Sequence, residues 1–208
     1  FGKYEDIITV GEMSSTSIEN CIKYSNEKEK ELSMTFNFHH LKVDYKDGDK
    51  WSDMDFDFMK LKELFNSWQT EMDNGGGWNA LFWCNHDQPR IVSRFGNDKE
   101  FHRESATMLA TAIHMMKGTP YIYQGEEIGM TNVKYDSIEK YNDVKGINIY
   151  KEKVSHGMSE EKAMEYVYAI SRDNARSPMQ WDSSDYGGFS TESSWMEINK
   201  NYKEINKC

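Results

Sequence analysis

Cysteine is scarce in this chain: Cys21, Cys84 and Cys208 are the only three among 208 residues. Thiols so few and so widely spaced exclude a disulfide framework and a CxxC metal site, and they fit a reducing cytosol, so a cytoplasmic location is expected. Long apolar runs are missing too. No stretch approaches the roughly 20 apolar residues of a membrane span, and no basic start leads into an apolar run and a cleavage site, so neither membrane insertion nor a signal peptide is expected. Positive charge is in deficit, with 25 Lys and Arg against 35 Asp and Glu and a formal net charge of -10. Such a field repels phosphate polymers, which excludes a general nucleic-acid binder and means that any anionic ligand must be held by local cations. His102, His114 and His156 are scattered without metal-ligand spacing, so no metal and no cofactor is expected. There is no initiator Met: the chain opens at Phe1 and enters an apolar run almost at once, as a piece of a longer chain does.

What is present suits one globular unit, since 38% hydrophobic and 13% aromatic residues can bury a substantial core. Ile7-Ile8-Thr9-Val10 is a short β-branched run that predicts a strand buried on both faces, with Gly11-Glu12 at its tip. A polar surface helix is expected between Ser14 and Lys30. Leu32, Met34, Phe36 and Phe38 alternate with polar residues, the period of a second strand that runs into His39-His40. Phe58, Leu61, Leu64, Phe65, Trp68 and Met72 recur at helical spacing until Gly75-Gly76-Gly77 stops them. A third strand is read at Ala80 to Cys84. A helix follows from about Glu100 to Lys117, with Met108, Leu109, Ala112, Ile113 and Met116 on its core face and Gly118 as its C′ residue. Tyr121-Ile122-Tyr123 reads as a fourth strand, and Ser159 to Ile170 as a helix within a long, loop-rich excursion that follows it. Strands alternating with helices predict a parallel α/β arrangement, although periodicity alone does not separate half a barrel from an open sheet.

Polar, chemically able residues fall just beyond the strand ends, where barrels and open α/β sheets build their sites. Glu12 is placed where apolar walls would favour a protonated carboxylic acid, the state that a general acid needs, but the same position also suits a carboxylate capping the following helix. Asn85-His86-Asp87-Gln88-Pro89-Arg90 packs a donor, an imidazole, a carboxylate, an amide and a guanidinium directly after a strand. A His beside an Asp can hold a sugar hydroxyl as donor and acceptor together, while a turn held by an Asp and an Arg salt bridge is the plainer alternative. Glu126 and Glu127 do not form a shared-proton pair, because adjacent residues at a strand end point to opposite sides.

Ile8-Thr9-Val10-Gly11-Glu12-Met13 resembles the strand-five segment of the α-amylase family, and Phe82-Trp83-Cys84-Asn85-His86-Asp87-Gln88-Pro89-Arg90 resembles its strand-seven segment. Gly118 to Gly129 is similar to the strand-eight segment, and Ser171 to Trp181 to the segment after it in the α-glucosidase branch. The resemblance implies a TIM (β/α)8 barrel, with residues 1–208 as the C-terminal half of the catalytic domain carrying strands five to eight and 130–208 as the excursion after strand eight. Within the branch, Gly11 to Thr16, Met34 to Tyr45 and Phe82-Trp83-Cys84 are most similar to members that hydrolyse trehalose 6-phosphate, with oligo-1,6-glucosidases next.

By that resemblance Glu12 is the proton donor and later base, Asp87 stabilises the transition state while fixing sugar hydroxyls, and His86 is a hydroxyl ligand. Arg172 and Arg176 border the aglycone side. The implied substrate is a small disaccharide phosphate, whose phosphate Lys42, with Lys50, would contact. A transglycosylase or isomerase on the same fold is the near alternative, and a non-catalytic interaction scaffold the distant one. The family's nucleophilic Asp belongs to a strand-four Gly-x-Arg-x-Asp segment that this sequence does not contain. Four strands alone leave two unpaired edges and an open apolar face. Isolated residues 1–208 are therefore expected to self-associate and to leave trehalose 6-phosphate intact; turnover by the purified 208-residue piece, or a monomer in sedimentation, contradicts this.

Overall fold

The computed structural model describes residues 6–208, so the first five residues of the expected barrel segment lie outside the described ones. Along the chain come β1 (Val10–Met13), α1 (Ile18–Ser25), β2 (Met34–Asn37), α2 (Phe58–Gly75), β3 (Asn79–Leu81), α3 (Ile91–Phe95), α4 (His102–His114), β4 (Thr119–Pro120), α5 (Val144–Ser155), α6 (Glu160–Ile170) and α7 (Asp173–Arg176). Among the described residues no helix is long and apolar enough to cross a membrane. Two compact units form, one running up to Phe82 together with Ala112–Tyr121, the other made of Trp83–Thr111 and Ile122–Cys208.

The first unit holds a four-stranded, wholly parallel sheet in the order β1-β2-β3-β4. The parallel α/β expectation is met, but the strand positions need correction. Pairing starts at Val10 opposite Met34 and not at Ile7. Ile7 and Ile8 are exposed, and the stretch before β1 is tied down through Thr9, whose carbonyl accepts the Ser33 N–H at 3.0 Å. Residues read as strand at Phe82–Cys84 and Tyr121–Tyr123 lie beyond the ends of β3 and β4.

Alternation in β2 separates two buried faces rather than a buried and a wet one. Phe36 packs edge-on against Phe82 and Tyr121, with centroids 5.1 and 4.8 Å apart. On the other side Thr35 is fully buried, beneath a cluster in which Cys21 of α1 meets Trp68 and Met72 of α2. Both faces of a parallel strand are covered when helices cross over it, so polar Thr35 and Asn37 are buried as well.

Helix α1 is shorter than expected because Ser17 caps it, accepting from the Asn20 N–H at 3.4 Å. Helix α2 begins at an Asp57 cap and ends as the glycine run predicts, with Gly76 in the left-handed region at φ 71°. Of its predicted stripe, Leu61, Trp68 and Met72 are buried while Phe58 is exposed. In α4 Leu109 and Ile113 are buried, whereas Met108 faces solvent. Gly118 is not the C′ residue of α4, which stops at His114. Its φ is 151°, and a Cβ there would lie 2.6 Å from the Asn79 carbonyl oxygen, so the residue is needed for β4 to approach β3.

The second unit is organised by buried polar groups. Arg90, 1% exposed, donates from Nε to the Asn174 carbonyl at 3.0 Å and from Nη1 to the Gln124 carbonyl at 2.6 Å. The Asn132 side chain accepts from the Arg90 N–H at 2.8 Å and donates to the Tyr168 carbonyl at 3.1 Å. Around Val133, Tyr135, Tyr141, Met164 and Val167 an apolar cluster packs beneath α5 and α6. Helix α6 fills the predicted span with Ser159 as its cap. Helix α5 occupies part of the stretch expected to be loop; its signal is Asp143 followed by Val144, Ile147, Tyr150 and Val154 at helical spacing.

Glu126 and Glu127 sit in a 3-10 turn rather than at a strand end. Glu126 accepts from the Tyr123 N–H at 3.2 Å, and burial lifts its carboxyl to about 7, against the opposing pull of that hydrogen bond and of Arg90. Since the folded-state value lies above the ordinary 4.5, Glu126 contributes most below about pH 4.5, and its contribution is lost as pH rises through about 7. Replacing Glu126 by Gln, a permanently neutral isostere, is expected to leave thermal stability unchanged near pH 5 and to raise it at pH 8 by on the order of 2 kcal/mol. A variant whose unfolding midpoint tracks the wild type at both pH values would show that the Glu126 carboxyl titrates alike in the folded and unfolded chain.

Candidate functional site

Glu12 lies in β1 opposite Phe36, with its side chain exposed. The apolar walls expected around it are therefore not supplied by its own unit. The chain leaves β1 through Ser14 and Ser15, where Lys42 is anchored: its Nζ donates to the Ser14 carbonyl at 2.6 Å and to Ser15 Oγ at 3.2 Å. A cation on a long stem is thus held against the loop that begins two residues after Glu12.

His39 and His40, which the sequence sets between strand and loop, are packing residues instead. His39 stacks on Trp68 at 5.1 Å, and burial together with the Lys42 charge lowers its pKa. His40 is buried with Nε2 2.8 Å from the Phe82 carbonyl oxygen. Lys50 follows a tight turn closed by pairing of Lys46 with Asp49.

The second unit gathers four predicted residues. An Asn85 side chain that accepts from the Asp87 N–H at 2.8 Å shapes the turn after β3 and sets Asp87 outward. Arg176 donates to the His86 carbonyl from Nε at 3.0 Å and to Asp87 Oδ1 from Nη2 at 2.6 Å. Arg172 brings Nη1 to 3.7 Å from the same oxygen. His86 Nε2 stands 3.7 Å from Asp87 Oδ2, too far for a hydrogen bond, so the two side chains lie side by side. Asp87 is 44% exposed, and an ion pair so open to solvent is worth about 1 kcal/mol or less. Its value is geometric: the two guanidinium groups fix where the Asp87 carboxylate stands beside the His86 imidazole.

Arg90, grouped with these residues by sequence, is buried and bonded to backbone carbonyls, so it holds the loop without reaching its surface. Cys84 is likewise inside, accepting from the Ile91 N–H at 3.3 Å, and burial pushes its thiol up to about 12. Sequence reasoning misses Asp143, the cap of α5. It is 2% exposed, and its Oδ1 accepts from Arg172 Nε and Nη2 at 3.0 and 2.8 Å. Burial alone would raise its carboxyl, but hydrogen bonds from the Arg172 side chain and backbone outweigh that and hold it below the ordinary carboxylate range.

The family model of the alpha amylase catalytic domain matches residues 1–208. The chain is 58% identical over 201 residues to trehalose-6-phosphate hydrolase of Bacillus subtilis, covering 97% of this chain and 36% of that protein. Oligo-1,6-glucosidase of Bacillus cereus is 53% identical over 202 residues, with 97% and 36% covered. Among solved structures, trehalose-6-phosphate hydrolase of Bacillus licheniformis superposes with a TM-score of 0.96 at 57% identity, over 99% of this chain and 37% of that one. Isomaltulose synthase of Erwinia rhapontici superposes at 0.87 with 36% identity, over 99% and 37%. The chain thus spans a little over a third of the length of these relatives, whose catalytic-domain fold implies a TIM barrel for the parallel sheet found here. With the family model matching throughout and two relatives above 50% identity, the chain belongs to the alpha-amylase catalytic-domain family.

Proposed function

We propose that this chain forms strands five to eight of a (β/α)8 barrel with the excursion at 130–208, and that the whole protein is a retaining glycoside hydrolase that splits trehalose 6-phosphate into glucose and glucose 6-phosphate. In this reading Glu12 protonates the departing glycosidic oxygen while an aspartate outside residues 1–208 attacks the anomeric carbon. The glycosyl-enzyme is then opened by water, with Glu12 now taking the proton. Asp87, oriented by its arginines, accepts hydrogen bonds from sugar hydroxyls and balances the positive charge that develops on the ring; His86 donates beside it. Arg172 and Arg176 border the leaving sugar. Retention of Glu12 and Asp87 in full surroundings weighs against a decayed scaffold.

The observation that carries the phosphate is Lys42, a cation tied within 2.6 Å of the Ser14 carbonyl on the loop that follows Glu12. In a chain of net charge -10, a dianion needs such a local counter-charge. Lys50 is the second cation of this reading. An oligo-1,6-glucosidase activity is the second reading, supported by 53% identity to the Bacillus cereus enzyme.

Both parts are open to test in the full-length protein. Comparing trehalose 6-phosphate with isomaltose separates the readings, and Lys42→Ala is expected to cut kcat/KM for the phosphorylated sugar about 10- to 100-fold while sparing an unphosphorylated glucoside. Equal losses on both sugars would remove Lys42 from phosphate binding, and preference for isomaltose would favour the second reading. Glu12→Gln should lower kcat/KM for the natural glycoside by about 10²- to 10⁴-fold. An aryl glucoside whose leaving group departs without a proton should suffer less in the first step; a variant as active as the wild type on both would exclude Glu12 as the acid.

A further inference from the structure

Trp195 is the most exposed tryptophan of the second unit, at 63%, although the backbone that carries it is fixed. Next to it Met196 is buried in the cluster around Val133 and Tyr141, and the Glu197 carbonyl accepts from the Tyr135 hydroxyl at 2.6 Å. The indole itself is anchored, because Nε1 donates to the Arg176 carbonyl at 3.2 Å. With its one polar atom engaged there, the side chain has only the face of its ring to offer. Phe189 stands across it, 5.3 Å away between centroids and 77° between planes. A ring set so steeply leaves a face of the indole uncovered.

Phe189 is brought there by a strained turn. Tyr186, Gly187 and Gly188 run through the left-handed region at φ 53°, 61° and 66°, a conformation that disfavours a tyrosine. A Cβ on Gly187 would run into the Ile198 side chain, so the turn folds back closely on the segment that carries the indole. The Gly187 carbonyl accepts from the Trp181 N–H at 2.8 Å and locks the turn. Strain held where two aromatic rings are set outward points to a use for those rings.

We propose that Trp195, with Phe189 steeply set beside it, is a stacking platform for the leaving sugar and so a specificity-determining residue. The inference rests on the reading that Arg176 borders that sugar. Arg176 holds the indole through its carbonyl and reaches Asp87 through its guanidinium, so the platform begins one arginine side chain away from the carboxylate. A pyranose carries C–H groups of slight positive charge on its flat face, and these match the negative face of an aromatic ring. An indole face adds no charge to a chain of net charge -10, so it holds a sugar ring with or without a phosphate.

In the full-length protein, Trp195→Ala is compared on isomaltose, on trehalose 6-phosphate and on α-glucosyl fluoride, whose leaving group is not a sugar. On whichever disaccharide the wild type turns over, kcat/KM should fall about 10-fold further than on the fluoride, chiefly through KM. Trp195→Phe keeps a flat ring and should retain more activity on the disaccharide than Trp195→Leu, which only fills space; the same pair replaces Trp195→Ala should that variant not fold. Equal losses on disaccharide and fluoride, or Leu serving as well as Phe, overturn the platform. A wild type silent on all three substrates counts against the functional reading, and calorimetric titration with the two disaccharides then decides the platform. Binding weakened about 10-fold by Trp195→Ala supports it, and binding that is unchanged or absent overturns it. A full-length crystal structure with Trp195 covered by the rest of the chain also overturns it.

Discussion

Arg90 combines a full positive charge with almost complete burial, and the second unit is arranged so that this charge is answered by backbone carbonyls. Desolvation pulls its pKa below the ordinary guanidinium value, and the carbonyls of Gln124 and Asn174 supply the hydrogen bonds that water would have made. One side chain thereby ties together the turn after β3, the segment before the Glu126 turn and α7. Removing it would leave those carbonyls buried and unpaired, a cost of about 1–3 kcal/mol for each group. The segments that carry Asp87 and Arg172 are irregular, and Arg176 closes the short α7; they keep their positions because their polar backbone is satisfied from within.

The same principle is repeated nearer the surface with side chains in place of carbonyls. Asp87 meets Arg176 directly and Arg172 at longer range, while Asp143 takes most of Arg172. Two carboxylates and two guanidinium groups balance one another in number, so their charges are largely answered within the group. In the first unit the arrangement is looser: Glu12 is exposed, and Lys42, the cation held at the loop after it, is engaged with Ser14 and Ser15.

Much of this is legible in the sequence, and the failures share a physical origin. The parallel α/β pattern, α2 with its glycine stop, and α6 with its Ser159 cap depend on contacts within a few residues, which periodicity and capping report directly. Strand ends depend on partners far along the chain. The β-branched run at Ile7–Val10 has every local mark of a strand, yet only Val10 finds a ladder partner. Met108 and Phe58 fit helical stripes but face solvent, because the width of the buried face is set by the neighbouring element. At the site, His86 and Asp87 stand out by residue type and order, whereas Arg172 and Arg176 are pointed to by the family resemblance alone. Asp143 is marked by neither, because its partner lies 29 residues onward and locally it is only a cap. Arg90 misleads for the converse reason: a guanidinium beside an imidazole and a carboxylate has the composition of a binding loop whether it points outward or inward.

Gly118 draws a different kind of consequence from the fold. Its α-carbon sits where any Cβ would press into the Asn79 backbone and the Leu81 side chain. Every base change that replaces the glycine without ending the chain introduces a Cβ, so no substitution at this position is mild. Lineages that carry this sheet can drift at the exposed flank of α4, where Met108 already lies in water, while Gly118 admits no intermediate on the way to another residue.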